Sequence, residues 1–296
     1  MRLASDIPLP PDYRLQDFLE FHGRDALGVA EKTTASSLKK GILWEGLPAC
    51  LTIDFQEGKA LVELAVDGEI LESDKFELEA LVVHMLGLTQ STSQFEEIFE
   101  SHDQIGRLIK KQHGLRVPQS ASLFEALTWA ITGQQISLSA AISIRRKLIE
   151  HHAITHSSGI ACYPNAEKIA LMTEADLKLL GFSKSKASAL IHISQMVKNS
   201  ELPLSDWAIN RPIEEIVRIL FSIKGIGYWT INYTLLRGLG WLDGSLHGDA
   251  AVRSKLSLML GRKDEISEKE TSEWLEQFSP WRALVAAHLW AMEKAD

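Results

Sequence analysis

Two apolar helical patterns, PIEEIVRILF (residues 212–221) and YWTINYTLLRG (residues 228–238), are joined by the short segment SIKGIG (residues 222–227). The arrangement has the form of a helix–hairpin–helix, which commits the surrounding chain to helix packing. Gly225 and Gly227 flank one apolar residue, Ile226, so successive backbone N–H groups can point outward beside a helix N-terminus. That geometry suits a phosphate oxygen, because it offers donors and a positive dipole end without any side chain. Read alone, such a turn also serves as a plain connection between helices. Twenty-two residues beyond Gly227, Asp249 stands just before a new helical run, AAVRSKL.

The rest of the chain divides in texture near residue 91. Residues 1–90 read as an α+β domain. A helix is expected from Leu15 to Ala30, strand alternation in ILWEGLPACLTIDF and KALVELAV, and a helix from Phe76 to Met85. Turn signals at Gln56-Glu57-Gly58 and Asp67-Gly68 make an antiparallel sheet with covering helices the simplest assembly. Residues 91–296 read as all-α, with short loops and no low-complexity linker. Two helical patterns meet at Gly133, the first with Ser120 or Ser122 as its N-cap. EADLKLLG is a short helix closed by Gly181, and SKSKASALIHISQMVKN is amphipathic through Ala187, Leu190, Ile191 and Ile193. Pro212 suits the first turn of the helix that leads into the hairpin.

Composition excludes several classes. The two cysteines, Cys50 and Cys162, are too few for a disulfide framework, a four-cysteine zinc site or an iron–sulfur cluster, and read as buried thiols. The histidines show no metal-binding spacing. No apolar run approaches a membrane span and the N-terminus has no signal-peptide core, so the expected location is cytoplasmic, with no membrane partner. The net charge of −8 is uneven: residues 1–112 hold 20 acids and 11 bases, residues 113–296 hold 19 acids and 20 bases. Residues 221–262 carry five bases and two acids, so the hairpin segment is locally basic, as a nucleic-acid partner requires.

The pattern L-x-x-I-x-G-I-G-x-W-T-x-N-Y-x-x-L-R-G, followed by the aspartate of DAAVR, resembles the helix–hairpin–helix DNA glycosylase superfamily. Within it the chain looks like the bacterial DNA-3-methyladenine glycosylase II type. The likeness extends to PPDY near the start, HGLRVPQSASLFEALTWAITGQQIS in the middle and PWRALVAAHLW near the end. The resemblance implies an N-terminal antiparallel β-sheet domain followed by an all-α helix–hairpin–helix glycosylase core. That core has a DNA-binding cleft and two subdomains, roughly 123–240 and 91–122 plus 241–296. The implied partner is double-stranded DNA containing alkylated bases, with no obligate protein partner and no required cofactor.

The resemblance also distributes roles. Asp249 is the expected catalytic acid, stabilising the oxocarbenium-like sugar and orienting water; by position alone it is also a natural helix N-cap. Asp243, the rival acid, lies in a Leu-Asp-Gly turn. Trp229, Tyr233 and Trp290 match the family's base-pocket aromatics, whose faces attract cationic alkylated bases; core packing is the alternative reading. Phe18 and Phe21 are candidates for a further wall. Ala291 departs from the tyrosine that follows the tryptophan in other members, which leaves the lesion range open. Gln135 falls at the family's wedge position, beside Gln134, and Gly225, Ile226, Gly227, Lys224 and Arg253 are expected at the DNA. Carbonyls of Ile223, Gly225 and Ile226 are candidates for a Na+ or K+ site. His247 reads as a loop residue. Strand-cleaving members carry a lysine nucleophile where this chain has Trp229, so a monofunctional enzyme is expected. A non-catalytic lesion-binding protein and a bifunctional lyase are the alternatives.

Overall fold

The computed structural model describes residues 1–210 and 212–292. Strands β1 (Arg2–Pro8), β2 (Glu31–Thr33), β3 (Ser37–Trp44), β4 (Leu47–Gln56) and β5 (Lys59–Val66) form one antiparallel sheet in the order β1-β5-β4-β3-β2. The β3–β4 hairpin turns on Glu45 and Gly46, both at positive φ (47° and 78°), as a two-residue loop matched to strand twist requires. Strands β4 and β5 fall where the alternation places them, while β3 begins at Ser37, five residues before the expected run. The edge strands β1 and β2 were not anticipated. β1 turns only Leu3, Ser5 and Ile7 inward, and β2 has three residues, too little periodicity to register.

The first helix is Leu15–His22, not Leu15 to Ala30. It ends at Gly23, whose N–H bonds to the Leu19 carbonyl at 2.7 Å, and the chain turns again at Gly28 with φ 58°. Helix Lys75–Met85 covers the sheet with Leu78, Val82 and Met85, which pack among Leu38, Leu51, Ile53 and Leu64.

Helices Thr92–Phe99 and Gly106–Lys111 open the all-α part. Helix Leu123–Gly133 runs through its centre, buried from Leu123 to Thr132, and is capped by Ser122, which accepts from the Glu125 N–H at 3.1 Å. It packs against helix Tyr228–Leu239 so closely that a Cβ on Gly238 would meet Leu123 Cδ1 at 2.6 Å and Ala126 Cβ at 3.0 Å. Two apolar cores lie about this pair. One joins Leu127, Ile131, Leu190, Ile193, Ile223 and Ile231. The other joins Phe95, Trp129, Tyr233, Leu256, Phe278 and Leu284. Thr173 and Asp176 close a capping box at helix Glu174–Leu179, and Ser183 caps helix Lys184–Lys198. Pro212 is the N-cap of helix Ile213–Ser222, one position before the first turn expected for it. Among the described residues, no helix is long and apolar enough to cross a membrane.

The sheet is welded to the helices in two ways. Gly41 of β3 lies against the Ala161–Cys162 backbone, where any Cβ would meet the Ala161 carbonyl oxygen at 2.0 Å. Beside it, a buried ion cluster spans the junction. Lys40 donates to Glu31 (2.6 Å) and Glu125 (2.8 Å), and Arg145 reaches the same two carboxylates at 3.1 and 2.6 Å. Burial alone would raise both carboxyls, but Lys40 and Arg145 outweigh it and hold them below the ordinary range. Cys50 and Cys162 are free and buried, as expected.

Two outcomes follow from these buried charges. Lys40→Met removes one cation and leaves two acids sharing Arg145, so urea unfolding should give a loss of about 3–5 kcal/mol. Burial also pushes His288 down to about 3 and His152 to about 4, so both stay neutral in the fold, while in the unfolded chain they protonate near 6.5. Below about pH 6.5 the unfolded state therefore binds more protons. Stability should be complete above that value and fall toward pH 5 by up to about 1.4 kcal/mol per pH unit per histidine, measurable as a declining urea midpoint.

Candidate active site

Asp249 is the N-cap of helix Ala250–Met259, and its Oδ1 accepts the Val252 N–H at 3.0 Å. Two indoles complete its shell: Trp229 Nε1 donates to Oδ2 at 2.9 Å and Trp290 Nε1 donates to Oδ1 at 3.2 Å. The half-buried carboxylate is thus fixed by three neutral donors, with no paired cation among the described residues. The cap and the site are one arrangement: the helix N-terminus holds the acid in place and favours its charge.

Trp229 and Tyr233, one turn apart on helix Tyr228–Leu239, stack with centroids 5.3 Å apart and planes 29° apart. Trp290 closes in from the last helix, Arg282–Trp290, with its ring 6.1 Å from Tyr233. The expected aromatics therefore converge on Asp249. Phe21 borders the same group, since Arg237 lies over both Phe21 (4.4 Å) and Trp290 (5.5 Å). Phe18 does not. It is 1% exposed in the sheet core, with its ring 5.5 Å from Phe55, because the inward side of its short helix packs on the sheet.

Three residues of this cluster were missed. Trp129 Nε1 donates to the Tyr233 hydroxyl at 3.0 Å, Arg24 lies over Phe21 (4.1 Å) and Trp129 (4.7 Å), and Arg237 reaches in from the hairpin helix. Arg237 follows Tyr233 by four residues, so its helix face was available from spacing. Arg24 and Trp129 arrive from distant segments and left no local signal. Burial raises the Tyr233 phenol, but Arg237, Arg24 and the Trp129 bond outweigh it and bring it below its usual value.

At the hairpin, Gly225 has φ 92°, a conformation that favours glycine, while Gly227 is at an ordinary −105° and has open space where a Cβ would stand. Ile223 and Ile226 anchor the turn in the core, and Lys224 is exposed. Gln134 is not free: its Nε2 donates to the Gly225 carbonyl (3.0 Å) and Thr230 Oγ1 (2.8 Å), tying the neighbouring loop to the hairpin. Gln135 protrudes beside it at φ 54°. Arg253 pairs with the exposed carboxylates of Glu265 (3.1 Å) and Glu268 (3.4 Å) and donates to the Gly248 carbonyl (3.0 Å). Asp243 is bound by Arg282 at 2.8 Å, and His247 Nδ1 meets Ser245 Oγ at 2.9 Å, both structural positions.

Away from the pocket, Asp12, Glu96 and His113 bring ligand atoms within 4.8 Å of one another. Protein donors already serve the group: Glu96 accepts the Gly114 N–H at 2.7 Å and meets His113 Nδ1 at 2.8 Å.

The family model for the HhH-GPD superfamily of base excision DNA repair proteins matches residues 128–280, which include the hairpin and Asp249. The chain belongs to this superfamily. Among its relatives, DNA-3-methyladenine glycosylase 2 of Escherichia coli (strain K12) is 28% identical over 191 residues, and the match spans 64% of this chain and 64% of that enzyme. DNA-3-methyladenine glycosylase of Bacillus subtilis (strain 168) is 25% identical over 234 residues, 78% of this chain and 77% of the other. The fold is shared with a 3-methyladenine DNA-glycosylase from Archaeoglobus fulgidus, at TM-score 0.80, 21% identity and 97% coverage of both chains. It is shared also with an 8-oxoguanine glycosylase/lyase of Clostridium acetobutylicum in complex with DNA, at TM-score 0.73, 14% identity, and 98% and 96% coverage. The superfamily fold thus hosts more than one glycosylase chemistry, and the pocket side chains must decide between them.

Because Asp249 is a cap as well as a candidate acid, Asp249→Ala should cost about 1 kcal/mol of stability. Asp249→Asn, which keeps an accepting oxygen for the Val252 N–H, should cost less in the same thermal melt.

Proposed function

We propose that this protein is a monofunctional DNA glycosylase that hydrolyses the N-glycosidic bond of alkylated purines, of the 3-methyladenine and 7-methylguanine type, and leaves an abasic site. The observation that carries the reading is the Asp249 carboxylate, half-buried and held by Val252, Trp229 and Trp290 beside an aromatic cluster. A fixed anion opposite C1′ stabilises the positive charge that develops on the sugar as the base departs, and it orients the attacking water. An N-alkylated purine is already cationic, so it leaves without a strong general acid. The relatives named for 3-methyladenine release support the same substrate class.

In this reading, residues 1–90 brace a helical core made of 123–240 and the flanking segments 91–122 and 241–296. The Gly225–Gly227 backbone receives a phosphate, with Lys224 adding charge. Gln135 enters the gap left by the flipped nucleotide, and Gln134 holds the wedge loop to the hairpin. Ile223 O accepts the Ile226 N–H and Gly225 O accepts from Gln134, so each carbonyl keeps a lone pair for a monovalent cation. Such an ion would add positive charge facing the phosphate. Trp229, committed to Asp249 through its indole, occupies the position where a lysine nucleophile would be required for strand cleavage.

Methylated duplex DNA incubated with the wild type should release free 3-methyladenine or 7-methylguanine. Asp249→Asn should lower that release at least about 100-fold, the scale of losing a main electrostatic stabiliser, while DNA binding persists. Borohydride should trap no covalent adduct. Folded wild type that releases neither base would sink the reading, and a trapped adduct would convert it to a lyase.

A further inference from the structure

A buried lysine stands behind the loop that carries Gln135. Lys186 lies in the first turn of helix Lys184–Lys198, where its neighbours Lys184 and Ser185 are exposed. Lys186 itself is only 8% exposed, and its Nζ donates to the Thr132 carbonyl at 2.9 Å. Among the described residues it forms no ion pair with a carboxylate, and burial draws its pKa below the ordinary value.

A buried cation facing a carbonyl and no carboxylate is costly, so the place of that carbonyl matters. Thr132 is the last residue but one of helix Leu123–Gly133. The final carbonyls of a helix have no partner within it and form the negative end of its dipole. Here the Gln134 N–H serves Ile131 O, but only at 3.4 Å. The Lys186 ammonium closes the same helix end with a shorter, charge-assisted bond.

The backbone that follows this end is strained. Gln135 has φ 54°, in the left-handed region, without being glycine. Such a conformation persists only where its surroundings fix it. On one flank stand Lys186 at Thr132 and the Gln134 side chain, bonded to Gly225 O and Thr230 Oγ1. On the other, Ser137 caps helix Leu138–His152 and accepts the Ala140 N–H at 3.3 Å. Gln135 and Ile136 are exposed between these anchors. The lysine's helix reaches the hairpin too: a Cβ on Gly225 would stand 3.6 Å from Ala189 Cβ. One helix thus braces both the loop and the hairpin.

We propose that Lys186 is a positioning residue for base extrusion: its ammonium fixes the end of the central helix so that Gln135 is already aimed when the nucleotide leaves the stack. The inference rests on the glycosylase reading and on the place given there to Gln135. Extrusion costs stacking and pairing. A side chain that fills the gap offsets this best when its own loop needs no ordering at that moment. Lys186 acts through the backbone of residues 132–135, not on the reacting atoms.

The test uses a duplex carrying 3-methyladenine or 7-methylguanine, whichever the wild type releases, with 2-aminopurine beside the lesion. Excess protein is added. The 2-aminopurine fluorescence follows unstacking, and quenched samples follow base release in a single turnover. Lys186→Met and Gln135→Ala should each slow both steps at least about tenfold, the scale on which a misplaced group is felt. The double variant should be no more than about twofold slower than the slower single one, because both changes remove one function. Lys186→Arg should recover part of the rate. Damage to the fold lowers the amplitude of release but not the rate constant of the folded fraction, and Lys186→Gln replaces the methionine variant if that one does not fold. Unchanged rate constants in the Lys186 variants, effects that multiply in the double variant, or a Gln135→Ala without effect each overturn the positioning role and leave the glycosylase reading standing. A wild type that releases neither base overturns both.

Discussion

The close approach of helices Leu123–Gly133 and Tyr228–Leu239 is the contact on which the molecule depends. It is possible because Gly238 has no side chain to hold Leu123 and Ala126 away. From that contact the two helices present different faces to two cores, Leu127, Ile131 and Ile231 on one side and Trp129, Tyr233 and Leu236 on the other. The pocket is built where the second face emerges. Trp129 from one helix donates to Tyr233 of the other, Tyr233 stacks on Trp229, and Trp229 holds Asp249. The hairpin begins at the N-terminus of the same helix, so the backbone expected at the phosphate and the acid expected at the sugar share one rigid support.

Electrostatics divides the same way. The chain is acidic overall, and its deepest charges are matched: Glu31 and Glu125 against Lys40 and Arg145, which join the sheet to the helices. The pocket breaks that rule. Among the described residues, Asp249 is held by neutral donors, and Arg24 and Arg237 are held by carbonyls and the Tyr233 hydroxyl. Charge left uncompensated in a mostly buried place is costly, and such cost concentrates at sites built to meet a ligand.

Much of this was legible locally. The hairpin, the caps at Ser122 and Asp249, and strands β3 to β5 follow from spacing, turn residues and alternation, all of which act over a few residues. The helix that stopped at His22 was misjudged because apolar residues continue past Gly23, although the chain turns there. Edge strands β1 and β2 offered too few inward residues to be seen. Phe18 and Phe21, three apart and so near one face of the helix, looked alike in sequence; Phe18 packs on Phe55 in the sheet core, while Phe21, at the C-terminal end of the helix, meets Arg24 and Arg237.

By itself the sequence determined the helix–hairpin–helix, the acid capping the helix after it, and the aromatic pair Trp229 and Tyr233 on one face. Each depends on backbone geometry within a turn or two. Tertiary structure alone decided that Arg24 and Trp129 would join Tyr233, that Arg253 would pair with Glu265 and Glu268, and that Gln134 would brace the hairpin. The cluster around Asp249 draws on residues 21, 24, 129, 229, 233, 237, 249 and 290, and no local pattern links positions so far apart. Only the packing of the sheet, the central helix pair and the last helix brings two guanidiniums and one carboxylate around the same rings.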